Sequence, residues 1–446
     1  MTVRAFLLLV FVATALVRSL SLQDTKEDPQ PPPSTIPGLA KSGTIPEPPE
    51  NAKDEEEEEE ERKCYDDEKT GFGFRTAITS EYDPFSPHCQ GRLLIRAGLN
   101  FAAYKSFHSF PGQMPKIACG HTVELSGERY KVIKVLGEGA FARAYLCETG
   151  DPLEHNSNSL LCLKTQKPGC IWEFYICEEV KERLTAITGG DIDLLDTKRN
   201  HENAAVMIIE DGYFFDNGSI IVNQYHPYGT LLDLVNRQKQ QSQQAHEMIA
   251  MYYLIEIMQI LEQLHRCQMI HGDVKPDNFL IRSLPPEIVD GKAWELFDGP
   301  HIRCLKLIDF GRTIDMKLFP RDTRFTGSAD TSCFQCPEML DSREWTYQTD
   351  FFGIVATGYV LLYRDYMKMY KTTGHYSVNN SFRRKVYADL WKRLFDSFLN
   401  IASCNELPNL GQWRRELKVA LLDWLSRNSA EWNREIRKLR TLMDPS

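Results

Sequence analysis

The order of apolar patterns along the chain predicts a bilobal α+β fold, a β-rich lobe followed by a mainly helical one, and three observations carry that prediction. From Tyr130 the sequence runs "YKVIKVLGEGAFARAYLCE" and then "SLLCLKTQ", β-type segments separated by glycine and by a polar insert from Thr149 to Ser159. "IWEFYICEEVKERL", Ile171 to Leu184, changes to helical spacing with its charges on one face. Beyond a glutamine-rich loop at Gln238 to Gln244, "HEMIAMYYLIEIMQILEQLHRC" reads as a long apolar helix, and helical patterns return from Asp350 to the end. With 446 residues, 42% of them hydrophobic, the chain can bury one large core or two moderate ones.

The chain divides into four parts. Residues 1–21 hold a basic Arg4, an apolar run from Ala5 to Val17 and small residues after it, which reads as a secretory signal and is too short for a stable membrane span. Residues 22–63 combine "PQPPPSTIPGLAKSGTIPEPPE" with Asp54 and the seven glutamates Glu55 to Glu61. Proline stiffness and like-charge repulsion predict a disordered linker there. Residues 64–129 include "DPFSPHCQGRLLIRAGLNFAAYKSFHSF", apolar enough to pack but too short to fold alone, so it should dock on residues 130–446. The linker from Leu22 to Lys63 carries 13 acidic and 5 basic residues, and the overall charge is −10. Beyond Lys63 the chain is nearly neutral, and no direct nucleic-acid contact is expected.

Cys147, Cys162 and Cys304 lie in apolar strand-like runs, where a thiol packs as a small hydrophobe, and their scattered spacing fits a reducing compartment. Cys333 and Cys336 form a CxxC with no second pair at zinc spacing, so no metal role is expected for it. "GYFFDNGSIIVNQY" reads as a hairpin whose Asn217-Gly218 supplies the positive φ angles of a primed turn. Asn217 and Asn379 also begin glycosylation sequons, for which the turn is the stronger reading at Asn217.

Four motifs carry chemistry. In "LGEGAFARAY", Gly137 and Gly139 let backbone approach phosphates, and Ala142 stands where GxGxxG has its third glycine. Lys164 ends the next β-run, and Glu173 sits in the first turn of the helix after it, a pair suited to directing an ammonium at nucleotide phosphates. In "HGDVKPDNF", Asp273 is placed to accept a substrate hydroxyl bond, Lys275 to neutralise a transferring phosphoryl group and Asn278 to ligate Mg²⁺. "LKLIDFGRT" delivers Asp309, whose hard oxygens also suit Mg²⁺. The segment to "CPE" at Cys336-Pro337-Glu338 carries Thr331, whose hydroxyl is placed to bond the catalytic aspartate and lysine. Asp350 should anchor the catalytic loop from below.

In this order the motifs resemble those of the eukaryotic protein kinases, which implies a bilobal kinase fold over residues 130–446 with ATP and Mg²⁺ between the lobes. "KTQKPGCIWEFYI", "YGTLLDLVN", "IHGDVKPDNFLI", "IDMKLFP" and "WTYQTDFFGIVATGYVLL" look like the Bub family (budding uninhibited by benzimidazoles) of mitotic checkpoint kinases. The likeness runs from about Asp83 to the C-terminus and includes inserts between Gly139 and Lys164 and between Asn278 and Asp309. It implies an N-terminal extension packed on the N-lobe and a Ser/Thr kinase of the spindle assembly checkpoint. The implied place is the nucleus, kinetochore and cytoplasm, and the implied substrates are a core histone tail or checkpoint proteins. The family's long N-terminal region, with its TPR repeats and checkpoint-binding motifs, has no counterpart in this sequence. Two alternatives stand beside this reading: a checkpoint pseudokinase acting as a scaffold, and a divergent secretory-pathway kinase.

Gly272 replaces the arginine that usually precedes the catalytic aspartate and clamps a phosphorylated activation loop. The expectation is that catalysis is intact and control differs, the active arrangement being held by the N-terminal extension and by the segment's own contacts. Phosphate on Thr326, Ser328, Thr331 or Ser332 would then tune substrate access.

Overall fold

In a computed structural model, the structure describes residues 83–139, 141–149, 159–188, 204–298, 304–327, 335–379 and 382–444. The signal-like start, the acidic linker, Thr331 and Cys333 lie outside the described residues.

The first lobe is a seven-stranded sheet in the order β1-β6-β7-β5-β4-β3-β2. Its strands are β1 Phe107–Ser109, β2 Thr122–Leu125, β3 Glu128–Glu138, β4 Ala142–Thr149, β5 Ser159–Gln166, β6 Asp211–Phe215 and β7 Gly218–Gln224. All neighbours are antiparallel except β1 and β6, where Phe107 pairs with Gly212 in parallel register. The residues upstream of Tyr130 therefore do more than lie on the sheet: they supply its two outer strands. One face buries Tyr130, Val132, Tyr145, Cys147, Leu163, Tyr213 and Val222 in a small core, with Cys147 fully enclosed as its apolar setting demands.

The other face meets α2, Ile171–Thr188, and α1, Pro87–Ala97, packs in turn against α2. Spacing alone assigns α2 one charged face, yet Trp172 to Cys177 are buried on every side. The extension explains the difference, because Phe101, Tyr104 and Phe107 close around Phe174 at ring-centroid distances of 6.4, 5.8 and 5.2 Å, and Phe214 of β6 completes the cage at 5.7 Å. Such aromatic contacts add to the area they bury.

The hairpin at β6–β7 forms, but its turn is not the expected one. Neither Asn217 nor Gly218 has positive φ. Gly218 is required by contact instead: a Cβ there would fall 2.8 Å from the Gln166 carbonyl oxygen. Asn217 is tied into the extension, accepting from Met114 N at 2.8 Å. A primed turn does occur at Thr373-Gly374, with φ of 49° and 82°. It joins β12, Met369–Thr372, to β13, His375–Val378, a hairpin that interrupts the helical pattern expected after Asp350.

The second lobe is otherwise helical. Its long members are α3 Leu231–Gln240, α4 Glu247–Arg266, α7 Gln348–Tyr363, α8 Ala388–Leu399 and α9 Leu410–Leu442, with short helices α5 Glu295–Asp298 and α6 Pro337–Leu340. α3 takes in the first half of the glutamine-rich run and is capped by Thr230 and Asp233 reciprocally. α4 and α7 are buried almost throughout and form the core of the lobe. The insert after Asn278 is stapled to α9: Trp432 Nε1 donates to Pro286 O at 2.9 Å, and Asn433 pairs with both backbone groups of Ile288. Short strands β8 Met269–Ile270, β9 Phe279–Ile281, β10 Leu305–Leu307 and β11 Ile314–Asp315 present the loops that face the first lobe.

Candidate active site

Gly137 still belongs to the β3 ladder, opposite Ala144, and Gly139 N bonds Ala142 O at 2.8 Å across the turn. A Cβ on Gly137 would meet nothing within 4 Å, so the space over the loop is open to a ligand. Neither glycine has positive φ, and what they offer is approach, not an unusual turn.

Lys164 extends from β5 beneath this loop. Its Nζ lies 2.9 and 3.0 Å from the Glu173 oxygens and 2.8 Å from Asp309 Oδ1. Glu173 is fully buried. Burial alone would lower the basicity of Lys164, and the two carboxylates carry it well above the usual range. Burial likewise pushes Asp309 up, but Lys164 overrides it and holds the carboxyl at about 2. For Glu173 burial is the larger effect and its carboxyl is raised.

The antiparallel β9–β10 pair brings Asn278, just before β9, and Asp309, just after β10, to the same end of the ladder, where Ile308 N bonds Asn278 O at 2.9 Å. Asn278 Nδ2 donates to the carbonyl and to Oδ2 of Asp273, at 2.8 and 2.9 Å. Lys275 Nζ stands 3.2 Å from the same Oδ2. Burial would lower the Lys275 ammonium, and Asp273 and Asp277 raise it. Asp350 holds the loop from below as expected, accepting from His271 N at 2.9 Å, Gly272 N at 2.8 Å and His265 Nε2 at 2.8 Å. Phe310 is fully buried against His271, whose Nε2 donates to Ile308 O at 3.2 Å.

Gly272 has φ of +74°, and a Cβ there would lie 2.8 Å from Arg312 O and 2.9 Å from the Phe85 ring. The position takes glycine for both reasons. Phe85 stacks on Trp345 at 5.7 Å, with the Arg312 guanidinium 4.3 Å from its ring centre. The extension thus reaches beyond the N-lobe on which it was expected to pack. Gln90 donates to Gly311 O at 3.4 Å, and Arg96 donates to Leu318 O.

Downstream, Phe325 and Trp345 exchange both backbone bonds at 3.0 and 2.9 Å, and Trp345 Nε1 donates to Gly327 O at 2.9 Å. The segment is thereby fixed just before Thr331. Thr326 is exposed there, while Ser328 and Ser332, like Thr331, fall outside the described residues. Cys336 is buried at the head of α6, and among the described residues no cluster of metal-ligating side chains occurs and every cysteine is free.

Eight of the nine candidate site residues are therefore described, with the ionic and amide members meeting between the lobes under the Gly137–Gly139 loop. Sequence reasoning missed Phe85, Trp345, Tyr175, Arg183 and Asp315. The last three lie close to the motifs in the chain, but nothing in their spacing announces that they meet.

The protein kinase domain family model matches residues 130–403. The chain is 35% identical over 332 residues to the mouse mitotic checkpoint serine/threonine-protein kinase BUB1, covering 74% of this chain and 29% of that protein. It is 32% identical to bub-1 of Caenorhabditis elegans, over 76% of this chain and 32% of that one, and 30% identical to BUB1 of Arabidopsis thaliana, over 74% and 62%. The chain thus spans about a third of the length of these animal relatives and under two thirds of the plant one. The crystal structure of a BubR1 kinase domain matches with a TM-score of 0.69 and 28% identity, covering 81% of this chain and all of the other. With the cleft assembled from Lys164, Glu173, Asp273, Asn278 and Asp309, with these Bub kinases as its relatives and the match extending across both lobes, the chain belongs to the protein kinase family.

Proposed function

We propose that the chain transfers the γ-phosphoryl group of ATP to serine or threonine hydroxyls of protein substrates. The observation that carries this reading is Lys164 bonded at once to Glu173 and Asp309, which requires α2 and the Asp309 loop to be in place together. A pseudokinase scaffold has no need to keep the three registered to within 3.0 Å.

The residues fit the nucleotide and its ion. Asn278 commits its amide nitrogen to Asp273, leaving a hard oxygen, and Asp309 adds carboxylate oxygen, the donor set Mg²⁺ takes. When bound, Mg²⁺ neutralises phosphate charge. Lys164 orients the α- and β-phosphates, Gly137 and Gly139 admit them, and Glu173 holds Lys164 extended. Asp273 accepts the hydrogen bond of the attacking hydroxyl, Lys275 offsets charge on the moving group, and Thr331 is assigned a bond to both.

By kinship with checkpoint kinases, the substrate class is a core histone tail or a checkpoint protein, and the place of action the nucleus and kinetochore. Phosphates on Thr326, Ser328, Thr331 or Ser332 tune substrate access, since Gly272 offers no guanidinium to receive them. The purified chain should label a core histone with ATP and Mg²⁺, and Asp273→Asn should not; equal labelling by both would overturn the proposal and favour the scaffold.

A further inference from the structure

α2 is held at its far end by a second set of charges. Arg183 Nη1 donates to Asp315 Oδ1 at 2.8 Å and Nη2 to Oδ2 at 2.6 Å, a parallel two-point pair. Nη1 also reaches Cys267 O, the C-terminal cap of α4, at 3.1 Å. Tyr175 OH donates to Asp315 Oδ2 at 2.6 Å, and Trp172 Nε1 to Thr313 O at 2.8 Å. Arg183 is 8% exposed and Asp315 fully buried. Glu179, on the same helix, braces the guanidinium at 2.6 Å.

Three side chains of α2 therefore converge on residues 313–315, which follow Asp309-Phe310-Gly311 after the single residue Arg312. A buried ion pair is poor evidence of net stability, because desolvation offsets most of its attraction. What it specifies is position. An outward swing of α2 would strip a buried carboxylate of Arg183 and Tyr175 together and leave the Cys267 carbonyl without its donor. The same swing would withdraw Glu173 from Lys164, since both ends belong to one rigid helix.

Taking the proposed kinase reading as its basis, we propose that Arg183 and Asp315 are positioning residues that latch α2 inward, with the Asp315 carboxylate, built into the chain, serving as the anion that an arginine-bearing kinase acquires by phosphorylation. In a kinase with arginine before the catalytic aspartate, the anion arrives by modification and the cation waits in the loop. Here the cation comes from α2 and the anion is permanent. Burial alone would lower the basicity of Arg183, and Asp315 and Glu179 more than offset it, so the guanidinium keeps its charge in this buried setting.

The test uses the purified 446-residue chain, stripped of phosphate by a phosphatase, beside Asp315→Asn, Arg183→Lys and the double variant. Hydrogen exchange of residues 171–188 and kcat and KM for ATP on a core histone are read together. Dephosphorylated parent should keep its rate, and Asp315→Asn should lower kcat roughly tenfold or more while speeding exchange in α2 above that of β3–β5. Arg183→Lys, which keeps the charge, should lie between, and the double variant should be no worse than Asp315→Asn. Loss of the parent rate on dephosphorylation, unchanged kcat in Asp315→Asn, or faster exchange spread evenly over the lobe would each overturn the latch. The exchange reading needs no activity, so an inactive parent would count against the proposed function and leave α2 exchange to decide the latch.

Discussion

Phe85 and Gly272 are in contact across 187 positions of sequence: the ring edge comes within 2.9 Å of where a Cβ at 272 would stand. An aromatic side chain from the extension fills the room that a side chain on the catalytic loop would need, and binds that loop to Trp345 beyond the activation segment.

Restoring bulk at position 272 should therefore disturb both the fold and the proposed activity. Gly272→Ala meets both positive φ and the Phe85 ring, and a cost of about 1–3 kcal/mol is expected, with a larger loss for Gly272→Arg. Urea melts and histone labelling of the two variants check this; a Gly272→Arg chain as stable and active as the parent would refute the contact.

Phe174 is enclosed by three rings of the extension and one of β6. Phe174→Ala should cost about 3–5 kcal/mol, as large-to-small changes in a packed aromatic core do. Because Glu173 is its neighbour, the KM for ATP should rise as well. A fall in melting temperature with unchanged KM would mean that the cage stabilises the lobe without setting Glu173.

Gly353 lies one turn along α7 from Asp350, and a Cβ there would fall 2.4 Å from both Cβ and O of Val274. Gly353→Ala is expected to displace the loop beside Asp273, cutting kcat with little change in nucleotide affinity, at about 1–3 kcal/mol of overpacking. Gly358→Ala in the same helix meets only the Leu254 side chain at 3.3 Å and should be mild. Steady-state kinetics on both would expose the contrast, and equal effects would remove it.

The Lys164 triad sets a pH window. Asp309 is depressed from 3.8 to about 2, so its contribution is present above pH 3.8 and lost as pH falls through 2. Lys164 is raised, so its contribution is complete below 10.5 and is lost only above its folded value. The stability gap between parent and Asp309→Asn should thus be constant from about pH 5 to 8 and close toward pH 2. Urea melts across that range test it, and a gap that persists undiminished at pH 2 would be the contrary result.

Much of this was readable from the chain. Lys164, Glu173, Asp273, Asn278 and Asp309 announce themselves because phosphoryl transfer demands those groups at short spacings within each motif, and Asp350 because a carboxylate heading an apolar helix needs donors. Gly272 was legible as a missing arginine but not as a required glycine, since its positive φ and its neighbour Phe85 depend on packing between distant segments. The Asn217 turn misled because glycine serves close approach as well as left-handed backbone, and sequence does not say which. The β12–β13 hairpin was missed among helical patterns, though Thr373-Gly374 was its signal.

β1 pairs with β6 from 105 positions upstream, and Phe107 cannot meet Gly212 until the intervening chain has been made. The extension leaves the ribosome well before β6, its strand partner. Contacts of such long sequence separation slow the search for the native state, because loop closure is spent before pairing rewards it. The N-lobe is then a late product of synthesis, and until it closes, β6 offers an open edge to any other strand nearby.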